Sequence, residues 1–97
     1  MPDVQVTNNP DRSRYEALVD GEVAGYAEYE LGEDRITFTH TVVADEYEGQ
    51  GIGSTLARAA LDDVRVQGGR RVVPQCRFVK SWIDKHPDYG DLVRPAP

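Results

Sequence analysis

The hydrophobic pattern of this 97-residue chain changes period at one glycine-rich segment, Glu48-Gly49-Gln50-Gly51-Ile52-Gly53-Ser54. Before this segment, residues 35–43 alternate between apolar and polar positions, which is typical of a β-strand. After it, apolar residues recur at steps of three and four as far as Gly68-Gly69, which is typical of an amphipathic α-helix. The segment therefore predicts a strand, a tight turn and a helix in sequence, and with them a mixed α/β fold.

The same glycine turn is suited to binding a phosphate group. Glycines adopt positive φ and let the backbone approach an anion, and the first turn of the following helix adds free N–H groups and a positive dipole end. The strict alternation of Gly49, Gly51 and Gly53 argues against a dinucleotide fingerprint. The absence of a lysine after Gly53 argues against a nucleoside-triphosphate loop. A plain turn at the start of a helix is the alternative interpretation.

The rest of the pattern predicts a mainly antiparallel sheet of about five strands with two helices. The predicted strands are 4–6, 14–19, 23–31, 35–43 and 71–75, and the predicted helices run from Gly51 to Gly68-Gly69 and from Phe78 to His86. The strand, helix, strand unit that begins at Arg35 should be right-handed, so strands four and five should be parallel. This topology puts the glycine turn at the carboxyl end of strand four, where open α/β sheets bind ligands.

Alternation within the fourth strand predicts which side chains share a face. One face should hold Ile36, Phe38, His40 and Val42, and the other should hold Thr37, Thr39 and Thr41. This placement favours a core histidine at position 40. Because an imidazole titrates near neutral pH, a base that takes a proton from an incoming amine or from the thiol of the chain's cysteine is the alternative for His40.

These motifs resemble the acyl-CoA loop of the GCN5-related N-acetyltransferase superfamily, whose pattern is Gln or Arg, two residues, Gly, one residue, then Gly or Ala. Glu48, Gly51 and Gly53 occupy the three defined places, and Glu48 departs from the usual Gln or Arg. The chain is also similar to the small YjdJ-type branch over roughly residues 15–93. The segments that recur in order are His40–Val43, the glycine turn, Val72–Cys76, Phe78–Lys80 and His86–Tyr89.

The resemblance implies a minimal acyl-CoA N-acyltransferase-like fold, with strands four and five splayed apart, and acetyl-CoA (or coenzyme A) as the cofactor. The backbone of Val42 and Val43 would pair with the pantetheine amides like an added strand. We expect the side chain of Glu48 to point into solvent. The cofactor-binding residues implied are Val42, Val43, Glu48, Gly49, Gln50, Gly51, Ile52, Gly53 and Ser54.

The catalytic candidates are Cys76 and His40, and Cys76 is the candidate nucleophile. It lies between the fifth strand and the second helix, and Arg77 and Lys80 follow within one turn. A helix N-terminus and nearby cations favour a thiolate, which can accept an acetyl group and pass it to an amine. A cysteine that lines the acyl pocket and a plain core cysteine are the alternatives.

Composition restricts the class of protein and its partners. Ninety-seven residues predict one domain, with a core of about 4–93. A net charge of −6 argues against nucleic acid as a binding partner. The single cysteine excludes an internal disulfide, and neither a leader nor a stretch of ~20 apolar residues is evident, so we expect a cytoplasmic protein with no membrane partner. One cysteine and two distant histidines are too few for a metal site.

Two further function classes fit the sequence. A non-catalytic CoA-binding module would keep the glycine turn without turnover. A protein-interaction module would present the face that holds Thr37, Thr39 and Thr41. Compared with larger relatives, the chain has no helix pair after strand one and no final strand pair, so its amine acceptor pocket is expected to be shallow or completed by a partner.

Overall fold

Five strands form one sheet in chain order in the computed structural model, which describes residues 3–93. The strands are β1 (Val4–Asn9), β2 (Arg14–Val19), β3 (Glu22–Leu31), β4 (Arg35–Val43) and β5 (Arg71–Pro74). The helices are α1 (Ile52–Gln67) and α2 (Arg77–Lys85), with short 3-10 helices at Pro10–Arg12, Asp45–Tyr47 and Pro87–Leu92. Strands β1 to β4 are antiparallel and β5 is parallel to β4. The predicted fold class is thereby confirmed.

Both helices pack against the same face of the sheet, here called the covered face. Its buried side chains are Tyr15, Ala17, Val19, Ala27, Tyr29, Ile36, Phe38 and Val72. The apolar stripe of α1 covers them with Ile52, Leu56, Ala57, Ala60, Leu61 and Val64. The opposite face, here called the uncovered face, bears partly buried or exposed side chains such as Glu16, Tyr26 and Glu28. Neither α1 nor α2 is long and apolar enough to cross a membrane.

A bulge in β4 overturns the predicted faces of that strand. Phe38 pairs with Tyr29 while His40 pairs with Glu28, so Thr39 is an extra residue between two consecutive pairs. The alternation therefore changes sides at this residue. Ile36 and Phe38 lie on the covered face as predicted.

Beyond the bulge, the predicted arrangement is reversed. His40 and Val42 are exposed on the uncovered face, whereas Thr41 and Val43 turn towards the helices. The expectation of a core histidine was wrong, and so was the placement of Thr41 on the same face as Thr37. The physical reason is the inserted residue, which a count of alternating positions does not detect.

The aromatic cluster under α1 has hydroxyl groups that bond to neighbouring elements. The rings of Tyr15 and Tyr29 lie 5.4 Å apart, centre to centre. The Tyr15 hydroxyl donates to Asp63 of α1 at 2.7 Å, and the Tyr29 hydroxyl donates to Asn8 of β1 at 2.6 Å. Burial, followed by the bond to Asp63, raises the pKa of Tyr15, and burial also raises the pKa of Tyr29.

These raised pKa values predict a loss of stability in alkali. Unfolded tyrosines ionise near pH ~10, whereas the folded phenols keep their protons, so the unfolded state binds fewer protons above that pH and becomes favoured. We expect the thermal midpoint, followed by circular dichroism, to be level from pH 7 to 9 and to fall steeply above about pH 10. Tyr15→Phe should make this fall shallower. A Tyr15→Phe slope equal to that of the parent protein would contradict the assignment.

Candidate functional site

Among the described residues, the second half of β4 has a free edge on the β5 side, here called the slot, because β5 pairs only with the first half. The register runs from Arg35 opposite Arg71 to Phe38 opposite Pro74. One further backbone bond follows, in which the Cys76 N–H donates to the Phe38 carbonyl at 2.9 Å, before the chain turns into α2. Within residues 3–93, positions 39–43 of β4 therefore have no strand neighbour on the β5 side. Pairing between β4 and β5 ends at Phe38, and the slot lies where the splaying of strands four and five was predicted.

The glycine turn at the carboxyl end of β4 leaves backbone donors free. Gly49 and Gly51 have φ values of 81° and 77°, in the left-handed region that favours glycine. Gly51 caps α1 without any side-chain hydrogen bond, and the first helical bond runs from the Thr55 N–H to the Gly51 carbonyl at 3.0 Å. The N–H groups of residues 52–54 thus have no backbone acceptor in the part of the chain that the structure describes. Such groups at a helix N-terminus bind phosphate.

Gly53 differs from these two glycines, since it lies in the helix and the Phe78 ring occupies its side-chain direction. A Cβ atom there would lie 2.8 Å from Cζ of Phe78, on the first turn of α2. The next residue, Ser54, accepts a hydrogen bond at 2.9 Å from the indole N–H of Trp82. These two contacts join the N-terminal half of α1 to α2. The side chains of Glu48 and Gln50 are exposed beside the turn, as expected for Glu48.

A glycine in β3 also shapes this end of the molecule. A Cβ atom on Gly25 would lie 2.7 Å from the Val42 carbonyl oxygen and 3.4 Å from Cγ2 of Ile52. The bare backbone at this position lets the start of α1 sit directly on the sheet next to the slot. Sequence-based reasoning missed this role, because Gly25 lies inside an ordinary strand pattern.

Cys76 stands at the N-terminus of α2, as the sequence predicted. It is the cap residue of that nine-residue helix, and the Lys80 N–H donates to its carbonyl at 3.0 Å. The residue is only 9% exposed, and its Sγ lies 3.3 Å from Oγ1 of Thr41. Arg77 and Lys80 are exposed.

The structure brings Cys76 together with Thr41 and not with His40. Neighbouring residues of a strand point to opposite faces, and His40 is exposed on the uncovered face while Thr41 contacts the sulfur. The sequence-based reasoning missed Thr41 as a site residue. Its local sequence carries no signal for this role, because the bulge that turns Thr41 inwards arises from the pairing of two strands.

Trp82 and the segment after α2 stabilise the two-helix layer. The Trp82 ring stacks on His86 at 3.8 Å and meets the edge of Tyr89 at 4.9 Å. The Tyr89 hydroxyl donates to Asp62 of α1 at 2.6 Å, and this bond is the main cause of its raised pKa. The proton of Tyr89 is therefore held by a carboxylate of α1, which agrees with a structural role for this tyrosine.

A half-paired parallel strand, followed by a glycine turn and a helix with free N–H groups, agrees with the acyl-CoA N-acyltransferase-like fold that the resemblance implies. Comparison with known proteins assigns the family. The sequence profile described as GCN5-related N-acetyl-transferase matches residues 14–92, and the chain belongs to this family.

Similar proteins agree with this assignment. The chain is 33% identical over 67 residues to "Protein NATD1" of Bos taurus, covering 67% of the chain and 58% of that protein. It is 31% identical over 67 residues to "Protein NATD1" of Mus musculus, covering 67% of the chain and 60% of that protein. The matched region thus spans less than two thirds of these relatives. The solution structure of a GCN5-like protein from Staphylococcus aureus matches with a TM-score of 0.71 at 21% identity, over 100% of this chain and 94% of that one, which supports the fold.

Proposed function

We propose that the protein transfers the acetyl group of acetyl-CoA to an amine. The observation that carries this proposal is the glycine turn with three free N–H groups at the mouth of the slot, in a chain of the N-acetyltransferase family. The order of motifs further supports the YjdJ-type branch. A cytoplasmic location and a single domain over residues 1–97 are kept as predictions from the sequence.

In this proposal the pyrophosphate of the cofactor binds the N–H groups of residues 52–54 and the open backbone of Gly49 and Gly51. The positive end of the α1 dipole adds ~0.3–1 kcal/mol of stabilisation for such an anion. The pantetheine arm lies in the slot, where the edge of β4 at Val42 and Val43 has no strand partner on the β5 side in the described part of the chain and can supply strand-like hydrogen bonds. Its inner end then reaches the level of Thr41 and Cys76.

Two routes of acetyl transfer fit this site. In the direct route the amine nitrogen attacks the thioester carbonyl, and Cys76 lines the acyl pocket. In the two-step route Cys76 receives the acetyl group first and then yields it to the amine. The contact of Cys76 with the polar Thr41 hydroxyl supports the second route.

His40 serves as proton acceptor in this proposal only for an amine that approaches from the uncovered face. Its exposed side chain projects from the free half of β4, one residue from Thr41. An acceptor on that face would meet the imidazole on one side of the strand, while the sulfur lies on the other.

The burial of Cys76 favours a second candidate function, a CoA-binding module without turnover. A cysteine that is 9% exposed and packed at the start of a helix can also line the pocket of a bound thioester without reacting with it. This candidate requires the same cofactor but no amine acceptor.

The first test is the thermal midpoint of the protein with saturating acetyl-CoA, with NADH and ATP as anionic controls. A ligand at ~100 times its Kd stabilises by ~2.7 kcal/mol, which corresponds to a rise of about 10 °C or more for a domain of this size. We expect this rise with acetyl-CoA alone. No rise with any of the three would overturn the proposal. Release of CoA in the presence of a panel of amines then separates the enzyme from the non-catalytic module.

A further inference from the structure

We infer that Thr41 is a positioning residue for Cys76: its hydroxyl orients the sulfur towards the slot and donates a hydrogen bond to the thiolate. This inference rests on the two-step route of the proposed function. It assigns a role to a side chain that the bulge at Thr39 brings to the covered face.

Two bonds from β4 hold Cys76 in place. The Phe38 carbonyl accepts the backbone N–H of Cys76 at 2.9 Å, and the Thr41 hydroxyl lies 3.3 Å from Sγ. The first bond fixes the main chain and the second fixes the rotation of the side chain. Because both partners lie on one strand, three residues apart, they set the position of the sulfur relative to the free half of β4.

Thr41 is partly exposed, and its inner side borders an apolar recess. The recess on its inner side is lined by apolar groups and is too narrow to admit a water molecule; the other lining residues are Ala27, Phe38, Ala57, Ala60, Leu61 and Val79. Among residues 3–93, Cys76 is the hydrogen-bond partner of the Thr41 hydroxyl. By contrast, the Thr39 hydroxyl donates to the Glu28 carbonyl at 3.4 Å.

The contact distinguishes between protonation states of the sulfur. With a neutral thiol, either atom can be the donor. A thiolate has no proton, so Thr41 must donate to it, and a hydrogen bond to an ionised acceptor is roughly twice as strong as a neutral one. The Thr41 hydroxyl therefore favours the thiolate, which is the reactive form.

This preference acts at both steps of the transfer. In the first, Cys76 Sγ forms a bond to the acetyl carbonyl carbon while the bond from that carbon to the CoA sulfur breaks, and CoA leaves as a thiol after taking up one proton. In the second, the amine nitrogen bonds to the same carbon, the bond to Cys76 Sγ breaks, and the amine gives up one proton, to His40 if it approaches from the uncovered face and otherwise to solvent. The Thr41 hydroxyl donates a hydrogen bond to the Cys76 thiolate before the first step, and again when this thiolate is the leaving group of the second step.

The test is the rate of alkylation of the single cysteine by iodoacetamide as a function of pH, followed by mass spectrometry without acetyl-CoA. We expect Thr41→Val to move the midpoint of the profile upwards by about one pH unit and to slow alkylation at pH 7 about tenfold. Thr41→Ser keeps the hydroxyl and should retain the parent profile. Thr39→Val is the matched control with an unchanged midpoint.

Three results would overturn the inference. These are an unchanged midpoint in Thr41→Val, a midpoint in Thr41→Ser that moves as far as in Thr41→Val, and a change confined to the limiting rate at high pH, which would indicate altered access only. The readout is independent of the proposed function. A shifted profile together with no thermal response to acetyl-CoA would reject the acetyltransferase proposal and retain the role of Thr41 at the thiol.

Discussion

Gly51→Ala should bind acetyl-CoA at least about tenfold more weakly than the parent protein, as measured by isothermal titration calorimetry. Gly51 caps α1 with φ at 77°, and a side chain in this conformation costs ~1–2 kcal/mol. To relieve that strain, the backbone at residue 51 must rotate, and this rotation reorients the N–H groups of residues 52–54 that would bind the phosphates. A loss of ~1.4 kcal/mol in binding free energy is tenfold in Kd.

Gly69→Ala is the matched control for this prediction. Gly69 has φ at 80°, and a Cβ atom at either glycine would have no other heavy atom within 4 Å, so the same backbone strain arises without a clash. Gly69 follows the opposite end of α1. We expect both variants to lose similar thermal stability and only Gly51→Ala to lose affinity. Equal losses of affinity would show that the glycine turn acts through stability and not as the phosphate site.

Phe38→Ala should remove a large part of the stability of the domain. Phe38 is 1% exposed and its ring lies 6.2 Å from Tyr15 and 6.3 Å from Tyr29. Truncation of a buried phenylalanine costs ~3–5 kcal/mol, against a total of about 5–15 kcal/mol for a typical domain. We expect the thermal midpoint, measured by calorimetry, to fall by about 12 °C or more.

The chain has one other phenylalanine, which provides the control. Phe78 is 42% exposed on the first turn of α2, and its ring covers Gly53. Phe78→Ala removes the same atoms from a half-exposed position, so its midpoint should fall by much less. A fall as large as that of Phe38→Ala would mean that the contact between the two helices, rather than the sheet core, determines stability.

Periodicity predicted the order and direction of all five strands and both helices because these elements bury one face each. The change of period at the glycine turn was visible, and strand, helix, strand connections have a strong handedness. The ends of the strands and helices were predicted less accurately. Strand β1 continues to Asn9, beyond the predicted residue 6, because its partner β2 extends the pairing to Asn9 opposite Arg14.

The candidate site was predictable where one residue type has a local requirement. Gly49 and Gly51 adopt positive φ, and Cys76 begins a helix, so the local sequence pattern predicts each of these positions. No local pattern predicts the partner of Cys76. Thr41 reaches the sulfur because of an extra residue in the pairing of β4 with β3, and that pairing depends on both strands rather than on either pattern alone.

The hydrogen bond between Trp82 and Ser54 has an optical consequence. The chain contains one tryptophan, and its indole N–H donates to the Ser54 hydroxyl in the first turn of α1. Any rearrangement of that turn changes the polarity around the indole ring, and the wavelength of its fluorescence changes with it. The protein therefore contains a single indole reporter where its two helices meet, and events at the glycine turn can be followed by emission without an attached dye.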